Sequence, residues 1–381
     1  MTDATQAPGS GQAGPAHTAL HAEHAALGAS FTDFGGWDMP LKYGSELAEH
    51  RAVREAAGLF DLSHMGEIRV TGPDAATFLN TALVGNFAVT AVGRAKYSLI
   101  CDADGGIIDD LITYRLGDTE FLVVPNAGNA PTVAAAFAER AAGFDVTVRD
   151  ESAETSLVAV QGPASVAILH ELVPEAQRAL VSDMKYYAAA PASVAGIEVL
   201  LARTGYTGED GFELYVPNAH AAELWRAVLA SGEAHGLIPA GLASRDSLRL
   251  EAGMPLYGNE LSRDITPFEA GLGPVVSFKK AERFVGRDAL EARREETPSR
   301  VLVGLQGAGR RAGRAGYAVL VDGVQIGEVT SGQPSPTLGF PIALASIDPA
   351  YAEVGTELTV DLRGKPEAFT VVALPFYRRA Q

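Results

Sequence analysis

The stretch Tyr97-Ser-Leu-Ile-Cys-Asp-Ala-Asp-Gly-Gly-Ile-Ile-Asp-Asp-Leu-Ile-Thr-Tyr114 predicts a β-hairpin that turns at residues 104–106. Because strand side chains alternate between two faces, one face of the second strand carries Ile108, Asp110, Ile112 and Tyr114. Asp109 points to the opposite face. A carboxylate on an apolar face costs free energy unless a cation or a hydrogen-bond donor meets it, and burial raises its pKa toward values useful in acid–base catalysis. The residues alone leave two interpretations equally open, a functional Asp110 or a pair of aspartates that merely ends a turn.

The hairpin belongs to a block over residues 65–150 whose pattern is close to the split β-α-β, or ferredoxin-like, arrangement. Strands are expected at residues 67–71, 96–100, 107–115, 121–125 and 145–148. A helix opened by Pro73 and Asp74 follows the first strand, and a second helix is expected over residues 128–142. This block is predicted to be one α+β domain.

The rest of the chain divides into two further blocks. A second α+β stretch has strands at residues 157–161 and 197–204 and helices at 163–172, 218–235 and 244–251. From residue 300 the chain is strand-like, and Asp322-Gly323 between β-branched runs is a strong hairpin signal, so residues 300–381 predict a small all-β barrel or roll. Residues 276–299 are predicted to be a connector, of which residues 281–299, rich in both acidic residues and Arg, are expected to be helical and solvated.

Composition excludes several classes of protein. The 381 residues contain 30 Lys and Arg against 47 Asp and Glu, a formal net charge of −17 that repels nucleic acid and anionic lipid. No apolar run is long enough for a membrane helix. The acidic excess lies before residue 277, and the C-terminal quarter is nearly neutral, so an anionic partner would bind there.

The terminus and the single cysteine indicate a compartment. Residues 1–16 predict a disordered tail, and the first basic residue is Lys42, which fits neither a signal peptide nor a transit peptide. Cys101 can form no intrachain disulfide and has no adjacent His, so a packed, inert thiol in a reducing environment is expected. We therefore expect a cytoplasmic protein.

Metal and nucleotide motifs are absent from the sequence. His17, His21 and His24 recur at helical spacing, but only Glu23 lies near them and it is off their face, so a surface helix ended by Gly28 is predicted and no metal site. The chain has no P-loop, no Gly-x-Ser-x-Gly elbow, no His-Glu-x-x-His and no complete dinucleotide loop.

Two more segments have open interpretations. Residues 203–213 place glycines 205, 208 and 211 between two strands, either as a flexible loop or to let backbone approach a flat ligand. Arg245 and Arg249 lie one helical turn apart, and such pairs more often form salt bridges than ligand clamps.

Together these segments resemble the glycine cleavage T-protein family, the tetrahydrofolate-dependent aminomethyltransferases. The resemblance includes Phe34-Gly-Gly-Trp-Asp-Met-Pro40, Asp61-Leu-Ser-His-Met-Gly66, the Asp-Asp hairpin, Gly205-Tyr-Thr-Gly-Glu209 and the helix at Arg245-Asp246. These motifs occur in the family's order from about residue 17 to residue 378.

The resemblance implies a three-domain cloverleaf around a central folate cavity. In that fold the first α+β domain is discontinuous, residues 17–64 plus 151–275, the second covers residues 65–150, and the C-terminal domain is a β-barrel or roll. Asp110 matches the family's essential aspartate beside the pterin, which decides between the two interpretations of the hairpin. Tyr97 and Tyr114 match aromatic positions of the same cavity.

The remaining site residues also follow from the resemblance. Glu213 matches the carboxylate that pairs with the amino and ring N–H donors of the pterin. Met65 and Tyr206 match wall positions, and Arg245 matches the cavity arginine. Arg378, in Phe376-Tyr377-Arg378, matches an arginine that lies toward the glutamate tail of folate.

The implied reaction moves a one-carbon unit from an aminomethyl group on the dihydrolipoyl arm of an H protein to tetrahydrofolate, with release of ammonia. No metal and no flavin are implied. Neutralising Lys279, Lys280, Arg283 and Arg287 is expected to weaken docking of the H protein.

Two other functions share the fold. A folate-dependent demethylase would need alternative methyl donors, and related oxidising enzymes carry a flavin domain for which this chain has no room. A folate-binding iron–sulfur assembly factor would carry Lys-Gly-Cys-Tyr-x-Gly-Gln, whereas residues 280–287 here read Lys-Ala-Glu-Arg-Phe-Val-Gly-Arg.

Overall fold

A computed structural model describes residues 14–379. The helices are α1 (His21–Ala26), α2 (Glu46–Glu55), α3 (Ala75–Ala82), α4 (Ala130–Arg140), α5 (Ser165–Leu172), α6 (Arg178–Asp183), α7 (Asn218–Gly232), α8 (Leu242–Glu251) and α9 (Arg287–Arg293). The strands are β1 (Ser30–Phe34), β2 (Trp37–Lys42), β3 (Ala57–Asp61), β4 (Ile68–Thr71), β5 (Ala95–Cys101), β6 (Ile107–Gly117), β7 (Glu120–Pro125), β8 (Thr147–Asp150), β9 (Thr155–Gln161), β10 (Ala189–Val194), β11 (Ile197–Ala202), β12 (Gly211–Pro217), β13 (Leu237–Pro239), β14 (Val301–Gly307), β15 (Ala318–Val321), β16 (Val324–Pro334), β17 (Pro341–Ile347), β18 (Glu357–Asp361) and β19 (Pro366–Val372). Among these residues no helix combines the length and apolar character that spanning a bilayer requires.

The predicted hairpin forms two strands of the middle sheet, whose order is β5-β6-β7-β4-β8. All neighbouring strands are antiparallel, and β4 lies between β7 and β8, which helix α4 connects. This confirms the split β-α-β prediction. Helices α3 and α4 pack through Phe78 and Phe137, whose ring centroids are 5.4 Å apart. Helix α4 begins at Ala130, two residues later than predicted, because residues 127–129 form a 3₁₀ turn.

The first sheet, in the order β10-β11-β12-β9-β3-β13, draws its strands from two separate stretches of the chain. β3, from the N-terminal stretch, pairs with β9 on one side and with β13 on the other. The sequence pattern missed β10, because Ala-Ala-Pro-Ala-Ser-Val has no regular alternation of apolar and polar residues. The domain limits 17–64 plus 151–275 stay a prediction.

The C-terminal strands close into a barrel in the order β14-β17-β16-β15-β18-β19. Its β15–β16 hairpin turns at Asp322 and Gly323, which have φ angles of 51° and 79°. Two consecutive left-handed residues are the requirement of a type I′ turn, so the hairpin prediction is confirmed. The mixed α+β fold class with a C-terminal barrel is confirmed with it.

Residues 276–299 differ from the solvated connector that the charge pattern predicts. Phe284 and Leu290 are buried against the middle sheet, in a cluster that includes Cys101. Lys280 is 4 % exposed and donates to the carbonyl oxygens of Leu83 and Gly85 at 2.5 and 2.6 Å. Burial lowers the pKa of Lys280 to about 7. The first part of the connector is therefore packed, whereas residues 287–293 are helical and residues 291–297 are exposed, as predicted.

Helix α1 also differs from its prediction, because one of its histidines belongs to the core. His24 is fully buried, and its Nε2 lies 2.8 Å from the carboxylate of Asp61 while its Nδ1 lies 2.8 Å from the hydroxyl of Tyr43. The prediction of a surface helix is wrong for this face. As predicted, the helix ends before Gly28, which has a positive φ of 75°.

Glu251, at the end of α8, joins the first domain to the barrel. Its side chain is fully buried and lies 3.2 Å from His50 and 2.8 Å from Arg54, both on α2. It also accepts hydrogen bonds from the Ser335 hydroxyl and from the backbone and hydroxyl of Thr337, in the loop between β16 and β17. Burial alone would raise the pKa of Glu251, but these partners hold it at about 2.

Replacing Glu251 with Gln is expected to lower the free energy of unfolding by about 3 kcal/mol, because it removes one of the two buried carboxylates that pair with Arg54 and the charge that Ser335 and Thr337 stabilise. A depressed carboxyl pKa adds stability above the unfolded value of 4.5, and this contribution disappears as the pH falls toward 2. Urea unfolding at neutral pH and at pH 3 measures both effects. The control is Glu223→Gln, whose side chain is 70 % exposed; an equal effect of the two substitutions would contradict the role of Glu251.

Candidate active site

A cavity of about 300 Å³ lies between the middle sheet and the first domain. Its walls come from β1, β5, β6, β7, β12 and α8 and from neighbouring loops. Among the residues predicted from sequence, those that line it are Met65, Tyr97, Asp110, Tyr206, Glu213 and Arg245. Tyr114 and Arg378 do not. The volume suits the ring system of a small ligand.

Asp110 faces the cavity from β6, on the side of the strand that its alternation predicts. It accepts a hydrogen bond of 3.0 Å from the Tyr97 hydroxyl, which lies on the neighbouring strand β5. A second bond of 2.8 Å comes from the side-chain amide of Asn126. Burial raises the pKa of Asp110, although both hydrogen bonds oppose the shift. The group therefore changes its charge nearer to neutral pH than an exposed aspartate does.

Asp109, on the opposite face of β6, is fully buried outside the cavity. The Asn126 backbone N–H donates to it at 2.9 Å, the Asn126 amide at 2.9 Å and the Asn129 amide at 2.7 Å. Burial, followed by the charge of Asp110, raises the pKa of Asp109. The amide of Asn126 thus contacts both carboxylates and fixes their relative position.

Glu213 enters the cavity from β12 and is held from behind. The Thr204 hydroxyl donates to Glu213 Oε2, and the Tyr114 hydroxyl lies 3.3 Å from the same atom. Tyr114 is fully buried behind the cavity wall, so it positions Glu213 and does not contact a ligand. Burial raises the pKa of Glu213, while the charge of Arg245 lowers it.

The two arginines of α8 have different surroundings. Arg249 is 1 % exposed and donates to Asp246, Glu260, the Met254 carbonyl and Ser331 of the barrel. This matches the salt-bridged interpretation. Arg245 lines the cavity with its guanidinium 4.8 Å from the centre of the Tyr206 ring, and no protein hydrogen bond to that guanidinium occurs in residues 14–379. It is available to an anionic or carbonyl group of a ligand.

The glycine loop between β11 and β12 is built around a buried glutamine. A Cβ at Gly205 would lie 2.0 Å from Gln161 Oε1, and one at Gly211 would lie 2.5 Å from Gln161 Nε2. Gln161 donates to the Thr204 carbonyl and accepts from the Thr207 hydroxyl, both at 3.0 Å. The glycines therefore admit this side chain, and Gly205 brings backbone to the cavity wall.

Sequence reasoning missed four polar residues of the wall: His64, Asn126, Tyr187 and Thr204. Asn126 follows the strand that pairs with β6, and the register Leu111 to Pro125 places it beside Asp110, so hairpin pairing could have indicated it. His64 lies within a quoted motif and is 2 % exposed, with an unpaired Nδ1. Burial and the nearby Arg245 lower the pKa of His64 to about 4, so it is neutral at physiological pH.

Two other predicted positions lie away from the cavity. Arg378 is exposed, and its guanidinium lies 3.4 Å from the carbonyl of Leu374 in its own segment. Cys101 is buried, and burial raises the pKa of its thiol to about 12, in agreement with an inert thiol.

The α+β fold, the C-terminal barrel and a cavity lined by the carboxylates of Asp110 and Glu213 indicate the class of protein, an enzyme with an α+β fold. More particularly, the chain belongs to the glycine cleavage T-protein family. Residues 20–280 match the family model described as GCVT N-terminal domain, and residues 300–378 match the glycine cleavage T-protein C-terminal barrel domain.

Individual relatives agree with this assignment. The chain is 61% identical to an aminomethyltransferase of Streptomyces avermitilis, over 96% of this chain and 98% of the relative. It is 48% identical to an aminomethyltransferase of Moorella thermoacetica, over 95% and 98%. A crystal structure of glycine cleavage system aminomethyltransferase T from Bartonella henselae superposes with a TM-score of 0.88 at 38% identity, over 95% of this chain and 98% of that chain. The chain is accordingly an aminomethyltransferase.

Gly205→Ala is expected to lower stability by about 2 kcal/mol and to weaken ligand binding, because the new Cβ displaces Gln161 and with it the loop beside the cavity. Thermal unfolding and folate titration measure the two effects. The matched control is Gly128→Ala, whose Cβ would meet no atom closer than 3.9 Å. Normal stability and binding in Gly205→Ala would contradict the role given to the loop.

Proposed function

We propose that this enzyme transfers the one-carbon unit of an aminomethyl group, carried on the dihydrolipoyl arm of an H protein, to tetrahydrofolate as co-substrate, in the cytoplasm. The observation that carries the proposal is the pair of carboxylates, Asp110 and Glu213, in one cavity of this family. The sole cysteine, Cys101, is unpaired and buried, which fits a reducing compartment.

The cavity suits a pterin ring on chemical grounds. The aminopyrimidine edge of a pterin presents adjacent N–H donors in a plane, and a carboxylate accepts two such donors at once. Glu213 supplies that carboxylate with its rotamer fixed by Thr204 and Tyr114. Tyr206 and Met65 supply apolar surface for the ring faces. Arg245 lies beside Glu213 and can bind a carbonyl oxygen of the ring.

Asp110 is the group we assign to the reaction. When the carbon–sulfur bond of the donor breaks, its electron pair leaves with sulfur and a methylene iminium cation develops. A preorganised carboxylate at that point stabilises the cation, and Tyr97 and Asn126 hold Asp110 in place while it does so.

The proton balance of the reaction is complete without an outside oxidant. Two nitrogens of tetrahydrofolate, N5 of the pterin ring and N10 of the aminobenzoyl arm, form the new carbon–nitrogen bonds and lose one proton each. One of these protons goes to the dihydrolipoyl thiolate, and the other goes to the departing amino group, which leaves as ammonia. Asp110, with its raised pKa, is suited to pass a proton between these groups.

Only part of the cationic cluster expected from sequence to meet the H protein is available on the surface. Lys280 is buried, Arg287 donates to the Phe278 carbonyl at 2.9 Å and to Glu291 at 2.8 Å, and Arg283 pairs with Asp288. Lys279 alone among the four remains exposed and outside these pairs. Lys280 is therefore removed from the expected docking site, and docking through Lys279, Arg283 and Arg287 stays a prediction.

Asp110→Asn is expected to lower kcat for transfer by about 10²–10³-fold, because the neutral amide does not stabilise the iminium cation. The tetrahydrofolate Kd should change by less than about threefold, since the amide keeps the size and an acceptor oxygen. Turnover with aminomethyl-loaded H protein and a separate folate titration measure the two quantities. Asp104→Asn, exposed in the turn of the same hairpin, is the control and should leave both unchanged. Unchanged turnover in Asp110→Asn would contradict the assignment.

The pH dependence of kcat tests the raised pKa. The carboxylate form of Asp110 is the active form, and burial raises the pKa of this group, so kcat should fall as the pH is lowered from 7.5 toward 5. Because Asp109 titrates beside it, the fall reports a value for the pair. In Asp110→Asn the residual rate should lose this acidic limb. A flat wild-type profile down to pH 5 would contradict the prediction.

A further inference from the structure

The N-terminal segment and the β1–β2 hairpin bring together two histidines and one aspartate that the active site does not use. His21 Nε2 lies 3.0 Å from Asp38 Oδ2, and His17 Nε2 lies 3.8 Å from the same oxygen. The His17 and His21 rings stack with centroids 3.8 Å apart and planes within 5°. Potential ligand atoms of all three residues lie within 4.8 Å of one another.

The backbone fixes this arrangement. The Ala16 N–H donates to the Gly36 carbonyl and the Asp38 N–H donates to the Ala16 carbonyl, both at 2.8 Å. This short pairing places His17, the next residue, beside Asp38 on β2. His21 begins α1 and is packed from its other side by the Phe31 ring, with centroids 4.6 Å apart. Three separate segments therefore hold the three side chains.

The neighbouring polar side chains are already paired elsewhere. His24 contacts Asp61 and Tyr43 in the core, and Glu23 accepts two bonds from Arg226. Neither His24 nor Glu23 can therefore join the cluster. The group of three histidines considered from their helical spacing is not the group that folding brings together. The carboxylate is that of Asp38 on β2, 17 residues after His21 in the sequence. Only folding brings the two residues together.

The distances between the potential ligand atoms match a site for a metal ion of intermediate softness, such as Zn²⁺. In tetrahedral coordination with bonds of about 2.0–2.1 Å, neighbouring ligand atoms lie roughly 3.3 Å apart. The observed 3.0 and 3.8 Å lie on either side of that value. His17 is 55% exposed, so its ring has room to rotate toward a shared ion, and the open side leaves a position for water. Two imidazoles with one carboxylate are a ligand set that Zn²⁺ accepts.

We propose that His17, His21 and Asp38 form a binding site for Zn²⁺ or a similar divalent transition metal, with water as the fourth ligand. Such an ion links the N-terminal segment and α1 to the β1–β2 hairpin. Phe34, at the end of β1, lines the active-site cavity, so the site also rigidifies one wall of that cavity. The proposal stands independently of the reaction assigned to the cavity.

The test is isothermal titration of the chelator-treated full chain, without an affinity tag, using Zn²⁺ and then Co²⁺. The wild type should bind one Zn²⁺ per chain at neutral pH, with a rise in the thermal unfolding midpoint and visible absorption of the Co²⁺ form. His17→Gln should weaken binding by about 10-fold or more. This histidine is half exposed, and within residues 14–379 its polar and ring contacts are to Asp38 and the His21 ring, so the variant should fold normally.

Two further variants separate the site from adventitious binding. His21→Gln should abolish the Co²⁺ absorption, and His220→Gln, a matched control 54% exposed and 4.0 Å from Glu223, should leave it unchanged. Stoichiometric binding that survives in the His17→Gln/His21→Gln double variant would overturn the proposal. Absence of Zn²⁺ binding in the wild type would overturn it equally.

Discussion

The active site depends on two consecutive aspartates of one strand, whose side chains point to opposite faces of the sheet. Alternation along β6 sends Asp109 into the protein and Asp110 into the cavity, and the Asn126 amide donates to both at 2.9 and 2.8 Å. If β6 slipped by one residue, the two carboxylates would exchange faces, and Asp110 would leave the cavity. The pairing of β6 with β7, which places Asn126, therefore sets the chemistry of the site.

The barrel contributes to the site indirectly, by holding α8 in place. Among the described residues that line the cavity, none comes from the barrel, yet Arg249 and Glu251 of α8 bond to Ser331, Ser335 and Thr337. Arg245 lies one turn earlier on the same helix and faces the cavity. The buried ion pairs hold the helix in place, and the helix in turn directs the guanidinium of Arg245 into the cavity. Arg249 thus has a structural role, whereas Arg245 is available to a ligand.

The sequence pattern correctly predicted features that depend on neighbouring residues, such as the direction of side chains along a strand and the position of a turn. Strand alternation correctly sent Asp110 and Asp109 to opposite faces, and Asp322-Gly323 correctly marked a turn. The pattern failed where folding joins distant segments. Charge pattern predicted Lys280 to be on the surface, but it is buried and donates to backbone carbonyls. Helical spacing grouped His24 with His21, but His24 is in the core, where it contacts Asp61. Family resemblance supplied Glu213 and Arg245, which neither periodicity nor charge could have selected.

The central claim is that one cavity couples cleavage of an aminomethyl donor to a folate acceptor. The direct measurement is the rate of ammonia release from aminomethyl-loaded H protein by the wild-type enzyme, with and without tetrahydrofolate. Rapid release that requires tetrahydrofolate and yields its methylene derivative in equal amount is the predicted result. Ammonia release at the same rate without folate, or no release in its presence, would contradict the account.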